Sequence, residues 1–154
     1  LTQTVIVLIV IGVSMRVGDL MSEPAVTVSR ETTVHDAIEE MLRHRVGSVV
    51  VVVDGNAVGI MTRSDALRAA YHAGGDLTEI AVSRAMSSDL RTTKRARTVR
   101  SVLRTMEKNN IKKLPVVEGF EPVGIVTMSD IAQHLPAEVQ EATQNLDRSD
   151  DWNR

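Results

Sequence analysis

The feature that most constrains this chain is an internal repeat, visible when the sequence is aligned with itself at an offset of 65 residues. Residues 17–65 match residues 82–130 without a gap, with 16 identities among 49 positions. Only about three identities are expected by chance from average residue usage. The match is densest where GIMTRSD at 59–65 returns as GIVTMSD at 124–130. The chain is therefore built from two copies of one supersecondary unit.

Each copy has the pattern of an amphipathic helix, two strands and a second helix. In the first copy, the apolar residues at 34, 37, 38, 41 and 42 have the spacing of one helix face. The valine run at 48–53 predicts a strand that is buried on both faces, because β-branched residues disfavour a helix. The predicted elements are helix 33–45, strands 48–53 and 57–61 and helix 64–73, repeated as helix 98–110, strands 114–117 and 123–127 and helix 129–135, with extended pieces at 25–28 and 90–93.

These elements predict a mixed α/β (α+β) fold. Two pseudo-symmetric units, each a small β-sheet packed by two helices, are expected to form one compact module. The first unit is predicted at 15–73, a linker with Gly74-Gly75 at 74–79, and the second unit at 80–135. Residues 136–154 are polar and acidic, which predicts a disordered tail.

The first 14 residues are a hydrophobic extension that differs from the rest of the chain in composition. Its apolar part is about half as long as the roughly 20 residues that a membrane span needs. No Lys or Arg precedes Arg16, so the basic start of a signal peptide is missing. Three interpretations stay open: an upstream extension that follows from a mis-set start codon or an alternative initiator, a strand or helix that docks on the domain, and a weak membrane anchor.

Composition excludes several functional classes. A net charge of -2 and a pI near 6.1 give no overall field that would attract nucleic acid or a membrane surface. The absence of cysteine excludes disulfides and thiolate sites, and it agrees with the expected cytoplasmic localisation.

No nucleophile motif occurs in the sequence, so catalysis is not expected. The histidines lack metal-ligand spacing and are interpreted as surface or packing residues: His35, His44, His72 and His134.

The Thr-x-x-Asp end of each repeat admits two interpretations. A threonine followed three residues later by an acidic residue is a capping box, which satisfies N–H groups at a helix start. The same strand–helix junction attracts an anion, and a carboxylate one turn into the helix can accept hydrogen bonds from two ribose hydroxyls. A cap tolerates other residues at both positions, yet both copies keep Thr and Asp. This repetition favours a binding site for a nucleoside phosphate.

The paired units resemble a tandem pair of CBS domains, a family named after cystathionine beta-synthase. The resemblance rests on the two Gly-hydrophobic-hydrophobic-Thr-x-x-Asp motifs, on RVGSVVVVVD at 45–54 and on NIKKLPVVE at 110–118. It covers residues 17–135. It implies an adenosine-ligand sensor, linked to energy sensing, with two clefts that bind AMP, ADP, ATP or S-adenosylmethionine. No required cofactor and no metal are expected.

By this resemblance, each cleft holds ribose hydroxyls through one aspartate, with one threonine near ribose and phosphate: Asp65 with Thr62, and Asp130 with Thr127. The Asp130 cleft is expected to add residues against the base and two lysines for phosphate: Ala25, Val26, Val46, Gly47, Lys112 and Lys113. The Asp65 cleft is expected to add the residues at the equivalent positions: Leu90, Arg91, Ile111, Gly47 and Ser48.

The two clefts are expected to differ in charge. The first copy has Gly47-Ser48 where the second has Lys112-Lys113, so the Asp65 cleft has fewer cations for a polyphosphate. This cleft is expected to be weaker, empty or suited to a less charged ligand. Arg63, opposite Met128 in the second copy, is a candidate to compensate.

The resemblance implies a regulatory module that forms a homodimer and transmits ligand occupancy to an effector protein. The expected dimer surface is an apolar helix face around Ala66, Leu67, Ala70 and Tyr71. One alternative is a structural or protein-interaction module whose clefts are vestigial. Another is nucleic-acid binding through the basic stretch 91–100, although a solvated face is the usual explanation of such a run and aromatic residues for stacking are scarce.

Overall fold

A computed structural model describes residues 15–134, and it confirms the mixed α/β fold. The expectations for residues 1–14 and 136–154 lie outside the described residues. The elements are β1 (Thr27–Ser29), α1 (Val34–His44), β2 (Ser48–Val53), β3 (Asn56–Thr62), α2 (Arg63–Ala73), α3 (Val99–Asn109), β4 (Lys113–Glu118), β5 (Glu121–Thr127) and α4 (Met128–Ala132), with 3-10 turns at Val17–Asp19 and Val82–Arg84. No helix within 15–134 is both long and apolar enough to cross a membrane.

The first helix of each repeat begins and ends by the same local chemistry. The hydroxyl of Thr33 accepts from the backbone N–H of Asp36, and Thr98 accepts in the same way from Ser101. A left-handed residue ends each helix, Arg45 at φ 55° and Asn110 at φ 50°. These caps satisfy backbone groups that have no partner inside a helix, which explains why the bounds of α1 and α3 coincide at the 65-residue offset.

The strands form one sheet in each repeat. In the first, β1 pairs in parallel with β2, and β2 pairs antiparallel with β3, giving the order β1-β2-β3. In the second, β4 and β5 form a two-stranded sheet. The central position of β2 explains its valines, because Val49, Val50 and Val51 are fully buried. The second repeat has Thr92-Thr93-Lys94 where the first has β1, and within 15–134 these residues belong to no named strand.

By their internal contacts the described residues form two compact units. Unit A comprises residues 23–92 and 115–125, and unit B comprises 15–22, 93–114 and 126–134. Each unit combines the first helix of one repeat with the leading segment of the other. In unit A, the N–H of Val34 donates to Ile80 O at 2.7 Å. In unit B, the N–H of Val99 donates to Met15 O at 3.0 Å. The repeats therefore exchange their leading segments.

The core of unit A is made of apolar residues from one face of its sheet, from its two helices and from the exchanged segment. Its buried members are Val28, Val34, Ala37, Met41, Val49, Val51, Met61, Ala66 and Val82. Unit B buries an equivalent set that includes Val17, Val99, Val102, Met106, Leu114, Val126 and Ile131. In both units the buried valine of the 3-10 turn, Val82 or Val17, comes from the exchanged segment.

Gly59, the first residue of the repeated motif, lies against the exchanged segment in unit A. A Cβ at this position would contact Met86 Sδ and would lie 3.0 Å from the carbonyl oxygen of Ser87. That carbonyl accepts from the N–H of Ile60 at 3.1 Å, and the N–H of Ser87 donates back to Ile60 O at 2.9 Å. The backbone segments at Gly59 and Ser87 therefore lie too close together to admit a side chain at position 59. The motif needs glycine here for packing.

We expect Gly59→Ala to lower the free energy of unfolding by about 1–3 kcal/mol, the usual cost of overpacking a tight contact. Urea denaturation measures this change. Gly18→Ala is the matched control, because a Cβ there would lie 3.5 Å from Arg95 Cβ, an ordinary contact. Equal stability of the two variants would contradict the assigned role of Gly59.

Candidate functional site

The capping box at the end of each repeat forms with the same geometry twice. In unit A, Asp65 Oδ2 accepts from Thr62 N at 2.8 Å and from Thr62 Oγ1 at 2.9 Å. In unit B, Asp130 Oδ2 accepts from Thr127 N at 2.7 Å and from Thr127 Oγ1 at 2.9 Å. Each threonine hydroxyl also accepts from the aspartate N–H, at 3.3 and 3.1 Å. Both threonine hydroxyls are therefore occupied in positioning the aspartates.

One carboxylate oxygen remains outside each capping box. Asp65 Oδ1 lies 3.3 Å from Arg68 NH1, and the Asp65 side chain is only 14% exposed. For Asp130 Oδ1, residues 15–134 supply no hydrogen-bond partner, while the rest of this half-buried side chain is fixed by its cap. An ionised carboxylate oxygen accepts hydrogen bonds only. Each motif thus holds a fixed acceptor that capping does not use.

The predicted phosphate-side residues lie beside these motifs within each unit. The N–H of Arg63 donates to Gly47 O at 3.2 Å, and the N–H of Met128 donates to Lys112 O at 2.9 Å. Ser48 pairs with Thr62 across β2 and β3 and is buried. Lys112 is exposed, and half-buried Lys113 begins β4. The structure therefore brings Gly47 and Ser48 to Thr62, and Lys112 to the start of α4.

The predicted base-pocket residues are mostly half-buried, and all except Leu90 and Arg91 lie just before a strand or at its start. Val26 O accepts from Val50 N at 2.9 Å, which fixes the chain before β1. Arg91 is exposed, with a guanidinium 3.5 Å from the carboxylate of Asp89. The remaining members are half-buried: Ala25, Val46, Leu90 and Ile111. Each predicted cleft takes residues from both units, so the assembly of either cleft stays a prediction.

A cavity of about 420 Å³ in unit A, hereafter the Asp65 cavity, lies along one face of α2. Its lining combines three charged or titratable residues of that face with the exchanged segment. The lining residues are Asp65, Arg68, Ala69, His72, Ala73, Ile80, Arg84 and Ala85. Sequence reasoning missed Arg68, His72 and Arg84. Helical spacing from Asp65 could have indicated Arg68 and His72, whereas Arg84 reaches this cavity only because the repeats exchange segments.

A second cavity, hereafter the Leu67 groove, lies along another face of α2 and is mainly apolar. It has a volume of about 450 Å³. It is lined by Ile38, Met41, Leu42, Arg45, Val46, Arg63, Ala66, Leu67, Ala70 and Leu77. Arg63, predicted to compensate for missing lysines, therefore lines this groove and is absent from the lining of the Asp65 cavity. Its contact with phosphate stays a prediction.

The basic stretch 91–100 is partly built into the structure of unit B. Its backbone carbonyls accept hydrogen bonds from the segment 16–18: Arg95 O from Gly18 N at 3.0 Å, and Arg97 O from Val17 N at 2.9 Å. The guanidinium of Arg97 donates to Ser101 Oγ at 2.8 Å. These contacts give the stretch a structural role at the start of α3.

The histidines make local contacts. His35 Nδ1 lies 3.0 Å from Asp36 Oδ1, and this contact lowers the pKa of the Asp36 carboxyl. The pKa of the Asp76 carboxyl is also lowered, because it accepts a hydrogen bond from the backbone N–H of Thr78. Neither carboxyl lines the two cavities. His134 Nδ1 contacts Asp130 O at 2.9 Å. Within 15–134 no group of three or more His, Asp or Glu side chains is arranged to hold a metal ion.

Comparison with known proteins places these motifs in a family. A family model for the CBS domain matches residues 17–72 and again residues 80–137. CBS domain-containing protein YhcV of Bacillus subtilis is 33% identical over 117 residues, which cover 75% of this chain and 82% of that protein. Hypoxic response protein 1 of Mycobacterium tuberculosis is 26% identical over 119 residues, covering 77% of this chain and 83% of that protein.

A solved structure shares the architecture. The CBS domain pair of protein MJ0100, in complex with 5′-methylthioadenosine and S-adenosyl-L-methionine, is 27% identical and matches with a TM-score of 0.71. The match covers 77% of this chain and 94% of that chain. This chain belongs to the CBS domain family and carries a tandem pair of CBS domains.

Proposed function

We propose that this protein is a regulatory module that binds an adenosine ligand and signals its occupancy to a partner protein. The observation that carries the proposal is the divided use of the motif carboxylates. One oxygen of Asp65 or Asp130 caps a helix, and the other is held as an acceptor. A ribose offers neighbouring hydroxyl donors that suit such an acceptor. The adenosine ligands of the MJ0100 pair support this ligand class.

Candidate ligands are AMP, ADP, ATP and S-adenosylmethionine, and the proposed site residues are those predicted from the sequence. Of these, Thr62 and Thr127 are proposed to act by positioning the aspartates, because their hydroxyls bond Asp Oδ2. In the Asp130 site, Lys112 and Lys113 would neutralise phosphate. In the Asp65 site, Gly47 and Ser48 take the equivalent positions. Regulation requires that the ligand bind two states of the module with different affinity, because equal affinity shifts no equilibrium. The output goes to an effector protein that recognises one of these states.

The Leu67 groove supports a homodimer as the working form. Leu42 and Leu67 line this groove, and each is 74% exposed. Large apolar side chains gathered on one face commonly mark a protein interface. A second copy is the proposed occupant, since twofold contacts of identical surfaces are the commonest closed assembly. Of the predicted face, Leu67 and Tyr71 are exposed, whereas Ala66 is buried and forms part of the groove floor.

A thermal-shift panel tests ligand binding. A ligand present at 100 times its dissociation constant adds about 2.7 kcal/mol to stability, which corresponds to a rise in Tm of roughly 5–10 °C for a chain of this size. The panel contains AMP, ADP, ATP, S-adenosylmethionine and GMP as the non-adenine control. We expect a rise with at least one adenosine ligand and none with GMP. A flat response would favour a protein-interaction module with vestigial clefts.

A further inference from the structure

The two compact units of this chain carry charges of opposite sign. Within the described residues, unit B has nine Lys or Arg side chains against three Asp or Glu, whereas unit A has seven against twelve. Part of the excess in unit B lies on α3, where Arg100, Arg104 and Lys108 recur at i, i+4 and i+8. This spacing places the three side chains on one face of the helix, hereafter the basic stripe. All three residues are exposed.

The basic stripe lacks the internal neutralisation that the equivalent helix of the first repeat has. At the offset of 65, Arg104 and Lys108 correspond to Glu39 and Arg43 of α1. Those two residues form an ion pair at 2.8 Å, so α1 neutralises its own cation. Within residues 15–134, the side chains of Arg100, Arg104 and Lys108 form no ion pair. Like charges at i and i+4 destabilise a helix by repulsion, which an anionic partner would relieve.

Packing does not account for the basic stripe. The buried residues of α1 and α3 occupy equivalent positions of the repeat, at 34, 37 and 41 and at 99, 102 and 106. Both helices therefore pack by the same face, and only their exposed faces differ in charge. A face that is only solvated would not favour three cations on consecutive turns, because these cations repel one another. The stripe is thus better explained by an anionic partner than by the fold.

The chain itself contains an acidic segment that is attached to unit B. Residues 138–151 hold five acidic residues and one basic residue: Glu138, Glu141, Asp147, Asp150, Asp151 and Arg148. Three residues separate this segment from His134 of unit B. The helix before it, α4, begins beside the chain that leaves α3, because the N–H of Met128 donates to Lys112 O at 2.9 Å. The acidic segment is therefore tethered to the unit that carries the basic stripe.

The length of the tether and the opposite charges favour contact between this segment and α3. A helix of 11 residues is about 16 Å long, and 14 residues of extended chain span up to about 45 Å. A short tether gives an effective concentration in the millimolar range, which is suited to a contact made of several weak, exposed ion pairs. We propose that the acidic segment 138–151 docks on the basic stripe of α3. The docked segment covers the stripe until a stronger anionic partner displaces it.

Trp152 is the only tryptophan of the chain and directly follows the acidic segment, so its fluorescence anisotropy reports docking in the full chain. At low ionic strength we expect Arg104→Glu to lower this anisotropy to the value that the wild type reaches in about 1 M salt, where the screening length is about 3 Å. Arg104→Glu should leave α3 folded, because it gives this position the residue type of Glu39. Arg30→Glu is the matched control, since it makes the same charge change at an exposed arginine of unit A. It should keep the wild-type anisotropy.

Substitutions in the segment test the contact from its other side. Asp150→Asn/Asp151→Asn should also release Trp152, and combining it with Arg104→Glu should release it no further, because both changes remove one contact. Equal anisotropy of the wild type, Arg104→Glu and Arg30→Glu would overturn the proposal. A wild-type anisotropy that falls on dilution would assign the segment to a second copy and also overturn it.

A short DNA duplex distinguishes the acidic segment from nucleic acid as the occupant of the stripe. If docking is correct, the duplex binds Asp150→Asn/Asp151→Asn no more weakly than the wild type, because the segment only competes with it. Binding of the duplex that requires Arg104, in a chain whose Trp152 anisotropy is unaffected by salt, would give the stripe to nucleic acid instead. Neither measurement involves an adenosine ligand, so its outcome is independent of the proposed function.

Discussion

Leu67→Glu is expected to dissociate the proposed homodimer, raising its dissociation constant by about 100-fold or more. Leu67 is 74% exposed in one chain, so the substitution should leave the fold of the chain intact. In a twofold interface both copies would carry the new carboxylate into an apolar contact. Burial of an unpaired charge costs about 3 kcal/mol or more, which corresponds to this change in affinity.

Sedimentation equilibrium over a range of protein concentrations measures this dissociation constant. Phe120→Glu is the matched control, because Phe120 is 76% exposed, belongs to the same unit and does not line the Leu67 groove. The control should remain as dimeric as the wild type. A monomeric wild type, or an equal effect of the two substitutions, would show that the groove does not bind a second copy.

Much of the fold could be predicted because its determinants are local and occur twice. The valine run at 48–53 indicated a strand without reference to the rest of the chain, and its burial confirms it. Thr33 and Thr98 begin their helices by side-chain caps, whose signature is visible in sequence. These interactions span only a few residues, so pattern and propensity were sufficient to predict them.

The exchange of leading segments could not be predicted from the same patterns. Whether Val82 packs in the unit of its own repeat or of the other depends on long-range contacts, such as Val34 N to Ile80 O. The buried positions of the two 3-10 turns hold the same residue, because Val17 and Val82 are equivalent in the repeat. No local preference distinguishes the two arrangements. Arg84 was missed for this reason.

Of the two roles predicted for the motif, the structure tests only helix capping. Thr62 and Asp65 predicted a capping box, and the structure confirms it. Ligand binding by the same residues stays a prediction, and it would use Asp65 Oδ1, because Oδ2 accepts from Thr62 in the capping box. Sequence spacing does not reveal which oxygen a cap uses. That detail depends on the side-chain conformation.

The second prediction concerns these aspartates directly. Asp65→Ala and Asp130→Ala are each expected to weaken binding of an adenosine ligand at their own site by about 10- to 150-fold, because a charge-assisted hydrogen bond contributes roughly 1.5–3 kcal/mol. Each substitution also removes the N3 member of a capping box, at a cost of about 0.5–2 kcal/mol in stability. Binding must therefore be compared at a temperature at which every variant is folded.

Substitution of the threonines is the matched control for the loss of stability. Thr62→Ala and Thr127→Ala remove the hydroxyl that bonds Asp Oδ2, and they leave both carboxylates in place. They should lose about the same stability as the aspartate variants, about 0.5–2 kcal/mol. Their loss of ligand affinity should be much smaller, because Oδ1 remains available.

The most direct test of the central claim is calorimetric titration of AMP, with S-adenosylmethionine in parallel, into the wild type and into two double variants. The account predicts that Asp65→Ala/Asp130→Ala loses at least about 10-fold in affinity for the ligand that the wild type binds. It predicts that Thr62→Ala/Thr127→Ala binds nearly as well as the wild type. Unchanged affinity of the double aspartate variant would contradict the account and leave Asp65 and Asp130 as helix caps alone.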